Sequence, residues 1–131
     1  MKDRPKALYV DGLHLDDVTE MLSSRYDLEI VDSDELDDVV DKVKDNRYDL
    51  VLLPLGKSSV YTDVSGFELS DRIKSSSPET KTLVYSGCIT VSDPVFEHII
   101  EPAMREYRKD CYCQVSRDLA AYQMKMCLDS M

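Results

Sequence analysis

The chain has 131 residues, enough to bury a core and too few for two, so one domain over residues 1–131 is expected. Its 43 % hydrophobic and 32 % charged residues fit a globular protein and exclude a disordered tail, and no apolar run approaches the roughly 20 residues that span a bilayer. The formal net charge of −10 repels phosphate backbones and argues against nucleic acid as a partner.

The charged start, Met1 to Lys6, leads into only the short apolar run Ala7–Val10. That is too brief for a signal-peptide core, so a cytoplasmic protein without membrane attachment is expected. The run itself reads as a first strand. Leu15, Val18 and Leu22 follow at helical spacing, with Asp16, Asp17 and Glu20 on the solvated side. Leu28–Val31 is the second strand, and its Leu28-Glu29-Ile30 alternation marks a half-exposed edge. Leu36, Val39, Val40 and Val43 predict a second helix capped by Asp32 or Ser33. Leu50–Leu55 is a continuous apolar run, the pattern of a strand buried on both faces. Gly66 opens a third helix carrying Leu69 and Ile73, which stops at Ser75-Ser76-Ser77-Pro78. Thr82–Tyr85 is the fourth strand. Ser92 or Asp93 caps a fourth helix with Pro94 in its first turn. Pro102 should kink or split that helix after about Ile100, leaving Pro102 to Arg108 as a separate short helix. Cys111–Val115 is the last strand, and a fifth helix runs from about Arg117 to the C-terminus.

Five strand–helix units in sequence predict a doubly wound parallel sheet with helices on both faces. With the second strand at an edge, the expected fold is a flavodoxin-like (βα)5 sheet of order 2-1-3-4-5. Ligands of such sheets bind outside the carboxyl ends of the strands, at the switch point between the first and third. Those ends carry Asp11 and Gly12, Pro54 and Leu55, Ser86 and Gly87, and Val115 and Ser116.

The stretches Ala7-Leu8-Tyr9-Val10-Asp11, Tyr48-Asp49-Leu50-Val51-Leu52-Leu53, Gly66-Phe67-Glu68-Leu69 and Leu83-Val84-Tyr85-Ser86-Gly87, with Tyr112 in the last strand, carry a resemblance. Their order and spacing make essentially the whole chain similar to the receiver domain of two-component response regulators. In that family an aspartate ending the third strand accepts a phosphoryl group from a histidine kinase. Two acids after the first strand help hold Mg²⁺, a Thr or Ser ends the fourth strand, and a Lys ends the fifth. The aspartate is the nucleophile; metal and lysine neutralise charge gathering on the phosphoryl oxygens.

Matched position by position, the acceptor falls on Pro54, which has neither carboxylate nor amide N–H. The acidic pair is reduced to Asp11, with Gly12 beside it, and the lysine position falls on Val115. A single acid makes a poor Mg²⁺ site. The resemblance therefore implies a degenerate phosphorylation pocket of Asp11, Gly12, Pro54, Ser86 and Val115, with no catalytic residue, metal or cofactor. Ser86 and Tyr112 fill the positions that receivers use as a switch, in which the hydroxyl moves toward the phosphoryl group and the ring turns inward. The residues alone equally admit Ser86 bonding a loop amide and Tyr112 as an amphipathic ring at a sheet edge. Asp63, in the long loop after Leu55, reads as a solvated carboxylate.

The expected function is that of a pseudo-receiver: signal transduction by phosphorylation-independent protein–protein interaction, and no enzymatic activity. The alternatives are a receiver phosphorylated at an unorthodox site such as Asp63, or a small-ligand-binding flavodoxin-like module taking a flavin or cobalamin. Against the second, the chain has no glycine-rich phosphate loop, and Asp11-Gly12-Leu13-His14 lacks the Asp-x-His spacing of cobalamin modules.

The expected contact face combines the fourth helix, fifth strand and fifth helix, for a protein partner or a second copy. In the fifth helix, Leu119, Tyr122 and Met126 are assigned to the sheet. Ala120, Met124, Cys127, Leu128 and Met131 are assigned to the surface, rimmed by Arg117, Lys125 and Asp129. With Tyr112 they make the interaction face. Cys111 and Cys113, two apart in a strand, share one side and read as small core or interface residues. With only His14 and His98 as imidazoles, no zinc site is expected.

Overall fold

A computed structural model describes residues 4–56, 64–87, 94 and 96–131. Five parallel strands form one sheet in the order β2-β1-β3-β4-β5: β1 (Lys6–Asp11), β2 (Asp27–Asp32), β3 (Leu50–Pro54), β4 (Lys81–Gly87) and β5 (Cys111–Val115). β1 and β3 lie inside the sheet, and their residues Ala7 to Val10 and Leu50 to Leu53 are buried, as continuous apolar runs require in a sheet covered on both sides. β2 is an edge, where no residue is fully buried and Ile30 is exposed.

Helices α1 (Asp16–Arg25) and α5 (Ala120–Ser130) cover one face, packing Val18, Leu22, Ala120, Met124 and Leu128 on Tyr9, Leu52, Leu83 and Tyr85. Helices α2 (Val39–Asp45), α3 (Ser65–Ser76) and α4 (Glu101–Glu106) cover the other, with Val40, Val43, Phe67, Ile73 and Ala103 on Leu8, Val51, Leu53 and Val84. Each side chain of this size taken out of water contributes roughly 1.5–3 kcal/mol.

The local signals act as their chemistry dictates. Asp32 accepts from Asp34 N–H at 3.1 Å and Glu35 accepts from Asp32 N–H at 3.2 Å. This reciprocal cap opens a 3₁₀ turn, Ser33–Asp38, before α2. α3 ends at Ser76, where Lys74 Nζ bonds the carbonyls of Pro78 and Thr80 and the Asp110 carboxylate. Before α4 the backbone takes a π turn over Phe96–Ile100. Pro102 lacks an N–H and its ring crowds the carbonyl one turn back; the wider π turn relieves both. The helix thus changes its winding at Ile100 without breaking apart, and α4 ends at Glu106, short of the expected Arg108. The capping positions Ser92 and Asp93 lie outside the described residues, as does Asp63.

α5 begins at Ala120, after a turn, and its phase corrects the sequence reading. Ala120 and Met124 are 0 % exposed and Leu128 is buried, whereas Leu119, Tyr122 and Met126 are 55 %, 63 % and 56 % exposed. The stripe assigned to the surface is the packed one. The reason lies in the flanks: Lys125 and Asp129 border the Leu119–Tyr122–Met126 side, so that side faces water. Ala121 and Cys127 widen the apolar side.

Candidate functional site

The carboxyl ends of β1, β3 and β4 converge on Gly12. A Cβ placed there would lie 3.5 Å from Pro54 Cβ and 3.5 Å from the Tyr85 hydroxyl. Asp11 turns to its own backbone: its Oδ1 accepts from Leu13 N–H at 3.0 Å and His14 N–H at 2.9 Å. That double acceptance bends the chain into a tight turn and holds His14 at φ 55°, in the left-handed region. One oxygen of the only acid at this end of β1 is thereby committed to amides, and the other lies 3.8 Å from His14 Nδ1.

Tyr85 completes the closure. Its hydroxyl donates to Val10 C=O at 2.5 Å and accepts from Gly12 N–H at 2.9 Å. Burial holds its ionisation far above the usual tyrosine range, so the ring stays neutral and donates at any working pH. Sequence reasoning passed over Tyr85 as a strand residue. The available signal was a phenol in a central strand, whose hydroxyl must find a partner indoors. Beside it, Tyr9 packs ring to ring with Tyr85 at 6.0 Å between centroids. The Tyr9 hydroxyl is buried and has no hydrogen-bond partner among the described residues.

Pro54 ends β3. Just past it, Gly66 N–H donates to Leu55 C=O at 2.7 Å, and a Cβ on Gly66 would meet the Pro54 carbonyl oxygen at 2.0 Å. Only glycine allows that approach. Val115 is buried among the side chains beneath α5, in the same cluster as Tyr85.

Ser86 and Tyr112 meet. Their hydroxyl oxygens are 2.6 Å apart, and the Tyr112 ring packs on Phe67 with centroids 5.4 Å apart. Tyr112 therefore points into the layer of α3 and α4, away from α5. This parts it from the α5 residues with which it was grouped, because alternate β5 side chains take opposite faces. Ser86 also donates to Gly87 C=O at 3.1 Å. Phe67 is the floor on which the ring rests.

Among the described residues no group of three or more His, Cys, Asp or Glu is placed to hold a metal ion, and no helix is long and apolar enough to cross a membrane.

The strand order, the helix layers and the site at the switch point define a flavodoxin-like, CheY-like fold, that of response-regulator receiver domains. Among solved structures the chain is similar to the signal receiver domain of an HD domain-containing protein from Pseudomonas fluorescens Pf-5, with TM-score 0.64 and 21 % identity over 97 % of this chain and 96 % of that one. It is similar to a CheY-like response regulator receiver domain protein from Methanospirillum hungatei JF-1, with TM-score 0.62 and 21 % identity over 98 % and 96 %. The BeF3-activated DrrB receiver domain matches with TM-score 0.62 and 21 % identity over 96 % and 98 %. No protein-family model and no curated protein matches the chain.

Proposed function

We propose that this chain is a pseudo-receiver, which signals by protein–protein contact without accepting a phosphoryl group and carries out no catalysis. The observation that carries the reading is the hydrogen-bonded Ser86–Tyr112 pair beside a β3 end that offers Pro54 where an acceptor carboxylate is needed. Phosphoryl transfer to protein requires a nucleophile and positive charge to meet the developing phosphoryl oxygens. Pro54 supplies no nucleophile, Val115 is buried and apolar, and the Tyr85 hydroxyl uses the Gly12 amide. In a two-position switch a ligand works by favouring one position. Here the inward position of Tyr112 is held by contacts that include Ser86 and Phe67, which suits a module that presents one surface continuously.

The surface we assign to contact is the β5–α5 side. Leu119, Tyr122 and Met126 stand exposed on α5, with Arg117, Lys125 and Asp129 around them. An apolar patch rimmed by charge of both signs suits a protein partner or a second copy, and an exposed methionine adapts to more than one contour.

Two measurements test the reading. Incubation of the full chain with acetyl phosphate and Mg²⁺ is expected to leave its intact mass unchanged; a stoichiometric phosphoryl gain overturns it. Sedimentation over a concentration series, with partner capture alongside, is expected to show association that a Tyr122→Glu, Met126→Glu double variant loses. Unchanged association in that variant removes the proposed face.

A further inference from the structure

Three cysteines, two on one strand and one on the following helix, converge where the sheet's outer strand meets the last helix. Cys111 and Cys113 stand two apart on β5 and so share the face that α5 covers, and Cys127 is carried on α5 opposite them. All three pack in the cluster with Ala120, Met124 and Leu128. Cys113 is buried, whereas Cys111 and Cys127 are half-buried and reach solvent. All three are free thiols, and Cys127 is the neighbour that acts on both β5 thiols.

We propose that Cys127 and Cys111 are a redox modification site, which a peroxide converts to an intramolecular disulfide that ties α5 to β5. The half-exposed Cys127 thiol attacks the peroxide, breaking the O–O bond to give a sulfenic acid and one water. Cys111 sulfur then displaces the sulfenic hydroxyl, which leaves as a second water with the Cys111 proton, and the S–S bond forms. Two thiols are oxidised, one peroxide is reduced, and a dithiol reductant reverses the change. The division of roles follows from the surroundings. Burial, then Cys127, pushes the Cys111 thiol up to about 12 and the Cys113 thiol higher still, so neither β5 sulfur is the first to react. Cys111 is the resolving thiol because, like Cys127, it is partly exposed, while Cys113 is buried in the core. The bond would fix the helix whose outer side carries Leu119, Tyr122 and Met126, and so would place the redox state next to the contact surface.

The test treats the full chain with hydrogen peroxide, blocks remaining thiols by alkylation, and reads intact mass and peptide linkage without reduction. The expected result is a monomer lighter by two hydrogens, a Cys111–Cys127 cross-linked peptide, a raised melting temperature and full reversal by dithiothreitol. Cys127→Ser and Cys111→Ser are each expected to lose the cross-link, and Cys88→Ser to keep it. Retention of all thiols after peroxide, a Cys113–Cys127 link, or only cross-linked dimers would overturn the proposal. A folded Cys127→Ser protein that still forms the same mass product would overturn it as well.

Discussion

The strand ends and the β5–α5 side use polar and apolar groups in opposite ways. At the strand ends Asp11 Oδ1 is taken by the Leu13 and His14 amides, the Tyr85 hydroxyl bridges Gly12 N–H and Val10 C=O, and Pro54 carries no polar side chain. At the β5–α5 side three large apolar residues face water and two thiols are half-open. Paired polar groups hold a site in one arrangement; unpaired apolar surface leaves free energy to be gained by association. The polar groups of the strand ends are drawn toward the backbone, whereas the apolar groups of α5 are turned toward solvent, which is why the proposed contact surface lies beside the sheet.

The sharpest way to break the closed region is Gly66→Ala. A Cβ at 2.0 Å from the Pro54 carbonyl oxygen must push backbone apart, and an exceptional loss of about 4 kcal/mol or more is expected in chemical denaturation. The phase of α5 is tested next. Met124→Ala empties a fully buried site and should lower stability by about 3 kcal/mol, while Met126→Ala on the open side should change it by less than about 0.5 kcal/mol. Equal effects would mean the helix is turned otherwise. Tyr85→Phe removes the hydroxyl shared by Val10 and Gly12 and leaves both groups unpaired, so a loss of about 2 kcal/mol is expected.

The smallest effect is in pH. The hydrogen bond from Arg108 holds Asp71 below the usual carboxylate range, and that from Lys42 does the same for Glu29. A depressed folded-state value means the contribution is complete above the unfolded carboxylate range and is lost as pH falls through the depressed one. Melting temperature should therefore decline on acidification below that range, and Asp71→Asn should flatten the decline by slightly lowering the neutral-pH value while leaving the acid end unchanged. Neither pair touches the strand ends, so the closed region should keep its Tyr85 bonds throughout.

Much of the fold was legible because its signals are local. Continuous apolar runs placed the inner strands, the Leu28-Glu29-Ile30 alternation placed the edge, and the serine–proline breaker ended α3 where expected. The places of Pro54 and Val115 at the ends of β3 and β5 were readable for the same reason. Two things were not. The phase of α5 was ambiguous because both sides of the helix carry apolar residues, and burial is decided by which side the charges flank. The closure of the pocket depends on Tyr85 reaching Val10 and Gly12, residues distant in sequence. A periodic pattern carries no information about where a hydroxyl ends. The Ser86–Tyr112 pairing was open for that reason too.

The contact between Gly66 and the end of β3 bears on what a change of loop length would do to the fold. Because Gly66 N–H is bonded to Leu55 C=O and its α-carbon rests against the Pro54 carbonyl, the two ends of the β3–α3 connection are fastened together independently of what runs between them. Closing a longer loop across ends already joined adds only about 0.6 kcal/mol for each doubling of its length. Residues can thus be gained or removed between Gly56 and Val64 while the sheet keeps its register, and Gly66 is the point that such changes must leave alone.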